Sequence, residues 1–535
     1  MRRRDFLRGG GALAASLLLD GGRTALGAVA GDADWDAGQV RHLLPAVSHD
    51  RFLLKLSLRA RPASIPVLRV GEDQRVHGSM SDTRGLFWRF DAPGLEPMTS
   101  YQLELRDGRE RLCDPWTLGT FPPLESQPSA FRLLVYTCAG GHEDARPPDG
   151  RTAFLPLAHR RRLLARALSF SPQAVVAIGD HVYWDLRAGP SAQLLAGSEI
   201  AARLDARSFR RDVAVLATEN EPRLERVVSP QIADLYGTLL RSTPVFFVQD
   251  DHDYFENDHA DEDIVTFPPD PFMLRLARAT QQLYYPEFLP DPGRPTTLAT
   301  TGATDRAAGV CESFGTLRYG RLVEALLWDC RRFVTLAGRS GVFLPADAEG
   351  WLRARMAVPA SEMRHVVQVP STPFGWSAGK WGEWYPDLLQ DDGKLGTAKA
   401  KPYWQEGWRL QHDRLLEAAA AMDRKPLFVS GDLHALATGS IRRSGNLNLR
   451  SNPITTVLSG PLGTGEMGWP SAFRGIGATP PTGVEIDQSL RPLERNGFTL
   501  IDWTEDGVTL RLFSWKLGED PAQIDTLEPF HTLEV

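Results

Sequence analysis

Six short apolar runs lie between residues 130 and 430, and five of them end in the same narrow set of polar groups. Residues 131–137 run into Cys138-Ala139-Gly140-Gly141, and residues 173–178 into Gly179-Asp180-His181-Val182-Tyr183. After residues 244–248 comes Gln249-Asp250-Asp251-His252-Asp253-Tyr254-Phe255-Glu256-Asn257-Asp258. Residues 323–328 lead to Asp329-Cys330-Arg331-Arg332, and residues 426–429 to Ser430-Gly431-Asp432-Leu433-His434; residues 365–369 form the sixth run. Runs this short and this apolar read as strands buried on both faces. Residues 154–170 carry helical spacing, with arginines expected on the polar side, so the region opens as a β-α-β unit. In such folds ligands gather at the carboxyl ends of strands. Carboxylates brought together there repel one another, and cations are the ordinary remedy.

The rest of the chain frames that region. Residues 40–122 read as all-β, with near-alternating apolar positions at 52–58 and 86–90. The run Leu95-Glu96-Pro97-Met98-Thr99-Ser100-Tyr101 resembles the tyrosine corner of fibronectin-type sandwiches, where a tyrosine hydroxyl caps a nearby loop backbone. A proline-rich stretch at 121–128 marks a boundary. Residues 497–503 and 507–514 return to β structure, and residues 519–535 read as a C-terminal tail. At the start, Met1-Arg2-Arg3-Arg4-Asp5-Phe6-Leu7 precedes an apolar run at 9–19 and then Ala28-Val29-Ala30, the layout of a secretory signal. Arg3-Arg4-Asp5-Phe6-Leu7 resembles the twin-arginine motif. The expectation is a signal peptide over 1–30, the twin-arginine export machinery as a partner, and a periplasmic or secreted protein. No later run is long enough for a transmembrane anchor. A formal net charge of -7 gives no reason to expect a nucleic-acid partner. Four cysteines, Cys113, Cys138, Cys311 and Cys330, are too sparse for a disulfide framework, and a Cys311–Cys330 bridge stays open.

Gly-Asp-x-x-Tyr at 179–183, Asp-Asp-His-Asp at 250–253 and Ser-Gly-Asp-x-His at 430–434, in that order, resemble the blocks of the calcineurin-like metallophosphoesterases. More narrowly they resemble the PhoD-type alkaline phosphatases and phosphodiesterases, over about residues 40–515. The resemblance implies an α/β fold, a metallophosphatase-type β-sandwich flanked by helices over 130–518. A fibronectin-type-III-like domain over 40–122 would precede it. It implies a first metal held by Cys138, Asp180, Tyr183 and His434, and a second held by Asp180, Asp251 and Asp432. Asn257 follows Asp251 closely enough to join the ligands of the second metal, and Asp250 is either a ligand or a turn cap. Thiolate and phenolate favour Fe(III), and all-oxygen ligation favours Ca(II), with Mn(II), Mg(II) or Zn(II) as substitutes. Ionised Cys138, Tyr183, Asp180, Asp251 and Asp432 carry five negative charges, which Fe(III) and Ca(II) together balance.

The implied activity is hydrolysis of a small-molecule phosphate ester by a metal-bound hydroxide, with His252 near the leaving group. Arg331 would hold the substrate phosphate, or else pair with Asp329. His142 and His181 stand beside the site motifs, and the tryptophan-rich stretch 376–408 is either a lid or a set of loop anchors. The alternatives are a catalytically silent binding protein of the same fold and a phospholipase D-like or nucleotide diesterase.

Overall fold

The computed structural model describes residues 35–145, 150–184, 209–254, 271–335, 337–378, 406–473, 475–481 and 483–535, and the backbone of two short strands, Leu388–Leu389 and Leu395–Gly396. The signal peptide expected over 1–30 lies outside these residues. Among the described residues no helix is long and apolar enough to cross a membrane.

The β-α-β pattern becomes the centre of a six-stranded sheet. Ala130–Thr137 pairs in parallel with Ala174–Ile178, which pairs in parallel with Val245–Val248. On its other side Ala130–Thr137 takes antiparallel Asn496–Thr504, and Val508–Trp515 follows. Successive side chains leave a strand on opposite faces, and both faces here are apolar. Leu134, Tyr136, Val175 and Ala177 pack in one core with Leu163, Leu164 and Ala167 of the helix Leu157–Leu168. Phe131, Leu133, Val135, Val176 and Ile178 belong to the other core, shared with a second sheet.

That second sheet has eight strands. Val323–Trp328, His365–Pro370, Leu427–Ser430 and Ile454–Ser459 run parallel, side by side. Phe314–Tyr319 closes one edge antiparallel, and Leu436–Ser444 continues the other. Ala325, Leu327, Val367, Val369, Val429 and Val457 meet the first sheet. Leu326, Trp328, Val366 and Phe428 face outward, under the helices Ala346–Met356 and Glu406–Ala420. Two sheets therefore pack face to face with helices outside, and strands covered on both faces need the near-continuous apolar runs seen in the sequence.

The C-terminal segment is not a tail. Pro521–Thr526 forms a 3₁₀ turn against the first helix, where Arg162 pairs with Asp525 and Arg166 donates to the Leu527 carbonyl. His531–Glu534 then adds an antiparallel edge strand to the six-stranded sheet. Four residues with a single apolar side chain among them, Leu533, give too short an alternation to be read as a strand; the open edge of Val508–Trp515 supplies the pairing that the local sequence lacks.

Residues 40–119 form an all-β unit of two sheets. Val40–Val47, Arg51–Leu58, Phe87–Pro93 and Ser79–Met80 make one; Gln74–His77, Val67–Val70, Ser100–Asp107, Glu110–Arg111 and Trp116–Gly119 make the other. The Glu96 N–H donates to Tyr101 Oη at 2.8 Å, the contact expected of a tyrosine corner. This unit is docked through buried polar contacts. Lys55 Nζ donates to the Gln282 carbonyl at 2.8 Å and pairs with Glu287 at 3.2 Å. His42 Nε2 donates to the Tyr284 carbonyl at 2.9 Å, so its Nδ1 accepts from Ser57 Oγ at 2.6 Å in a neutral ring. All four cysteines are buried free thiols, with no Cys311–Cys330 bridge.

Two measurements check this account. Tyr101→Phe leaves the exposed Glu96 amide to water and should cost about 0.5–1.5 kcal/mol in a denaturant melt. Burial pushes the pKa of His42 from its ordinary 6.5 down to about 4. Between those values the unfolded chain takes up a proton that the folded chain refuses, so stability is lost as the pH falls. The advantage of wild type over His42→Gln should be full above about pH 6.5 and shrink by up to about 3 kcal/mol by about pH 4. Parallel pH–stability curves for the two proteins would refute this.

Candidate metal centre

The strand ends turn in an unusual way. Cys138, Asp180, Asp432 and His434 all have positive φ, at 47°, 57°, 67° and 47°. Non-glycine residues seldom adopt this left-handed backbone, and each instance costs on the order of 1 kcal/mol or more. Packing around the strand ends sustains it. Gly179, at φ +69°, precedes Asp180 where any Cβ would lie 2.5 Å from Asp250 Cβ, so only glycine fits.

Four strand ends meet here. Cys138 Sγ, an Asp180 carboxylate oxygen and a His434 ring nitrogen all lie within 4.8 Å of one another. Within that group Cys138 Sγ stands 3.2 Å from Asp180 Oδ2, and Tyr183 Oη stands 2.9 Å from the same oxygen. Tyr183 Oη is also 3.2 Å from His434 Nε2. His434 Nδ1 donates to the Gly468 carbonyl at 2.5 Å, which leaves the Nε2 lone pair facing the cluster. Asp180, Asp251 and His252 form a second group of the same span, and Asp250, Asp251 and Asp432 a third. Asp180 and Asp251 each belong to two groups, so the three are continuous. The ring of His252 packs against that of Tyr183 at a tilt of 40°, with centroids 4.1 Å apart.

Several supporting residues have roles that the sequence did not assign. Asp253 accepts from four backbone amides, those of Asp180, His181, Val182 and Asp250, at 2.9–3.0 Å. It is the turn cap that Asp250 was weighed for. Asp250 instead joins the acidic group, with Oδ1 taken by Arg331 Nε at 2.7 Å and Oδ2 buried with no hydrogen-bond partner among the described residues. Buried Gln231 accepts from the amides of Gly141 and Tyr183 and so ties two strand ends together. Arg160 reverses its expected placement on the polar side of the first helix. It is buried and donates to the carbonyls of Ala139, Gly140 and Gly141 behind Cys138.

Arg331 lies at the edge of the acidic group. Its guanidinium is buried between Asp250 and Asp432, 3.5 Å from the latter, and its backbone amide donates to Asp329. His181 points into the core, donating to the Val248 carbonyl, and burial pushes its pKa down to about 3. His142 pairs with Gln231. Trp376 and Trp408 are buried anchors, with indole N–H groups on Gln488 and on the Thr335 carbonyl; Trp381, Trp384 and Trp404 lie outside the described residues, as does Asn257.

Burial, reinforced by the charge of Asp180, pushes the Cys138 thiol and the Tyr183 phenol well above their usual ranges. Burial raises Asp250 in the same way, against the pull of Arg331. The protein alone thus disfavours ionising the groups whose anions bind metals best, and a cation reverses that balance. Asp180 Oδ1 is buried without a hydrogen-bond partner among the described residues. Sulfur, phenol oxygen, imidazole nitrogen and one shared carboxylate on one side, with carboxylates on the other, form a donor set that fits two cations.

A solved structure described as "Structure of PhoD" aligns over 93% of this chain and 90% of its own, with a TM-score of 0.58 at 11% sequence identity. The chain therefore has a PhoD-like fold. Two further structures, the type III pullulan hydrolase from Thermococcus kodakarensis and a cyclomaltodextrinase, superpose with TM-scores of only 0.13 and 0.15 and carry no argument. They share 8% and 9% identity, over 73% and 74% of this chain and 60% and 70% of theirs. No protein family and no curated protein matches the sequence.

Asp253→Asn sets an amide NH₂ against two of the four donors that Asp253 accepts. It should cost about 2–4 kcal/mol in a denaturant melt and lower the metal content of the purified protein. Full metal occupancy at wild-type stability would show that the turn does not depend on Asp253.

Proposed function

We propose that the chain is a metal-dependent phosphoric ester hydrolase, a PhoD-like alkaline phosphatase or phosphodiesterase acting on small-molecule phosphate esters. The observation that carries this reading is the convergence of Cys138, Asp180, Tyr183 and His434 with Asp250, Asp251 and Asp432 in a PhoD-like fold. Cys138, Asp180, Tyr183 and His434 would hold Fe(III); Asp180, Asp251 and Asp432, with Asn257 in reach, would hold Ca(II). Mn(II), Mg(II) or Zn(II) are substitutes. Bound cations would neutralise the phosphate charge and lower the pKa of a nearby water.

The chain's own groups do the rest. His252, which lies against Tyr183 and beside Asp180 and Asp251, would give a proton to the leaving oxygen. Arg331 holds Asp250 and Asp432 in place, and any contact it makes with a substrate phosphate competes with those ion pairs. The tyrosine corner and the two-sheet layout support a fibronectin-type-III-like assignment for the N-terminal unit. We further propose that residues 1–30 direct twin-arginine export to the periplasm or the medium.

Hydrolysis of an aryl phosphate monoester and an aryl phosphodiester by the metal-loaded protein tests the reaction; turnover of neither would overturn it. His252→Ala should retain its metals and lose roughly 10²–10⁴-fold in kcat, with less loss for acidic leaving groups. For the metals, Fe(III) bound to a phenolate should colour the protein, Tyr183→Phe should bleach it, and Asp432→Ala should leave the colour largely intact. A colourless, active protein with two zinc ions would sink the iron and calcium assignment while leaving the hydrolase standing.

A further inference from the structure

Tyr254 and Asp329 lie outside the metal-binding groups yet join the loops that carry them. Tyr254 ends the 3₁₀ turn Asp251–Tyr254, which follows the first-sheet strand Val245–Val248. Asp329 follows the second-sheet strand Val323–Trp328. Tyr254 Oη donates to Asp329 Oδ2. The other oxygen, Oδ1, accepts from the backbone amides of Arg331 at 2.7 Å and Arg332 at 3.1 Å. Both residues are buried, at 3% and 1% exposure, and the longer contact from Tyr254 Oη, 3.3 Å to Gln249 Oε1, stays within the strand end that carries the turn. One carboxylate thus fixes the loop that carries Arg331 and the turn that carries Asp251 and His252. Asp253 holds the first-sheet end of that turn; Tyr254 holds the end facing the second sheet.

We infer that Tyr254 and Asp329 are a positioning pair: through them the second sheet sets where His252 stands relative to Asp180 and Asp251. The pair touches neither a metal nor the substrate. It acts by denying the Asp251–Tyr254 turn the small rotation that a free tyrosine would permit, and misplacement of a reacting group by about 1 Å can cost up to about 100-fold in rate. The inference rests on the hydrolase reading above.

A double-mutant cycle in kcat on aryl phosphate esters tests it, with metal content and melting temperature measured for every variant. Tyr254→Phe removes one hydroxyl and keeps the ring. It should lower kcat by roughly 10-fold while KM and metal content stay within about two-fold of wild type. In the His252→Ala background the same change should cost less than about two-fold, because the group it positions is already gone. Asp329→Asn can accept from both amides through Oδ1 and donate to Tyr254 Oη through its NH₂, so it should lose far less than Asp329→Ala. Losses that multiply fully in the double variant would overturn the positioning role, as would an unchanged kcat in Tyr254→Phe. If His252→Ala loses equally with good and poor leaving groups, the proton-donor reading fails, and the cycle still decides whether Tyr254 acts through His252.

Discussion

Mutual repulsion among buried carboxylates is the constraint on which this structure turns. Asp180, Asp250, Asp251 and Asp432 share one small, almost dry volume. Left to themselves such groups would take up protons or push apart. The fold holds them together with two sheets, each contributing strand ends from its parallel side. Left-handed backbone at Cys138, Asp180, Asp432 and His434 is strain stored at this one place. Arg331 offsets part of the negative charge, and cations would offset the rest.

The same logic of buried charge joins the N-terminal unit to the region that carries the candidate metal centre. Lys55 and Arg306 share Glu287; Arg306, Arg278 and Arg332 converge on Glu312; and the Arg332 amide reaches Asp329. Burial pushes the Lys55 ammonium down to about 8 against the pull of Glu287, so the cation is held there at a cost. Buried ion pairs of this kind add little net stability, but removing one partner leaves a buried charge behind. The two units are therefore held in register by partners that neither can replace, and the chain of contacts ends beside the loop carrying Arg331.

Much of the site was legible because it is local. Gly179-Asp180 through Tyr183, Asp250 through Asp253 and Ser430 through His434 each put their chemistry within a few residues of a strand end. The continuous apolar runs that mark those strands follow from burial on both faces. The tyrosine corner was legible for the same reason, since Tyr101 reaches back only five residues to the Glu96 amide. Gln231 was not legible: it acts on Gly141 and Tyr183 from far along the chain, and an isolated glutamine carries no pattern. Arg160 was misplaced because helical spacing locates a face without saying what covers it. The last strand was missed because four residues gain their β structure from a neighbouring edge.

What the sequence determined by itself was the order of strands and loops, the ligand-type residues at their ends, and the glycines that let those ends turn. Backbone propensity and hydrophobic alternation act over a few residues, and they suffice for that. Only the tertiary structure decided which carboxylate does what: that Asp253 caps the turn, that Asp250 meets Arg331, and that the Arg331 guanidinium lies between Asp250 and Asp432. Those choices depend on which loops from the two sheets face each other across the sandwich. Sheet-on-sheet packing fixes that, with side chains far apart along the chain making contact only once both sheets have formed.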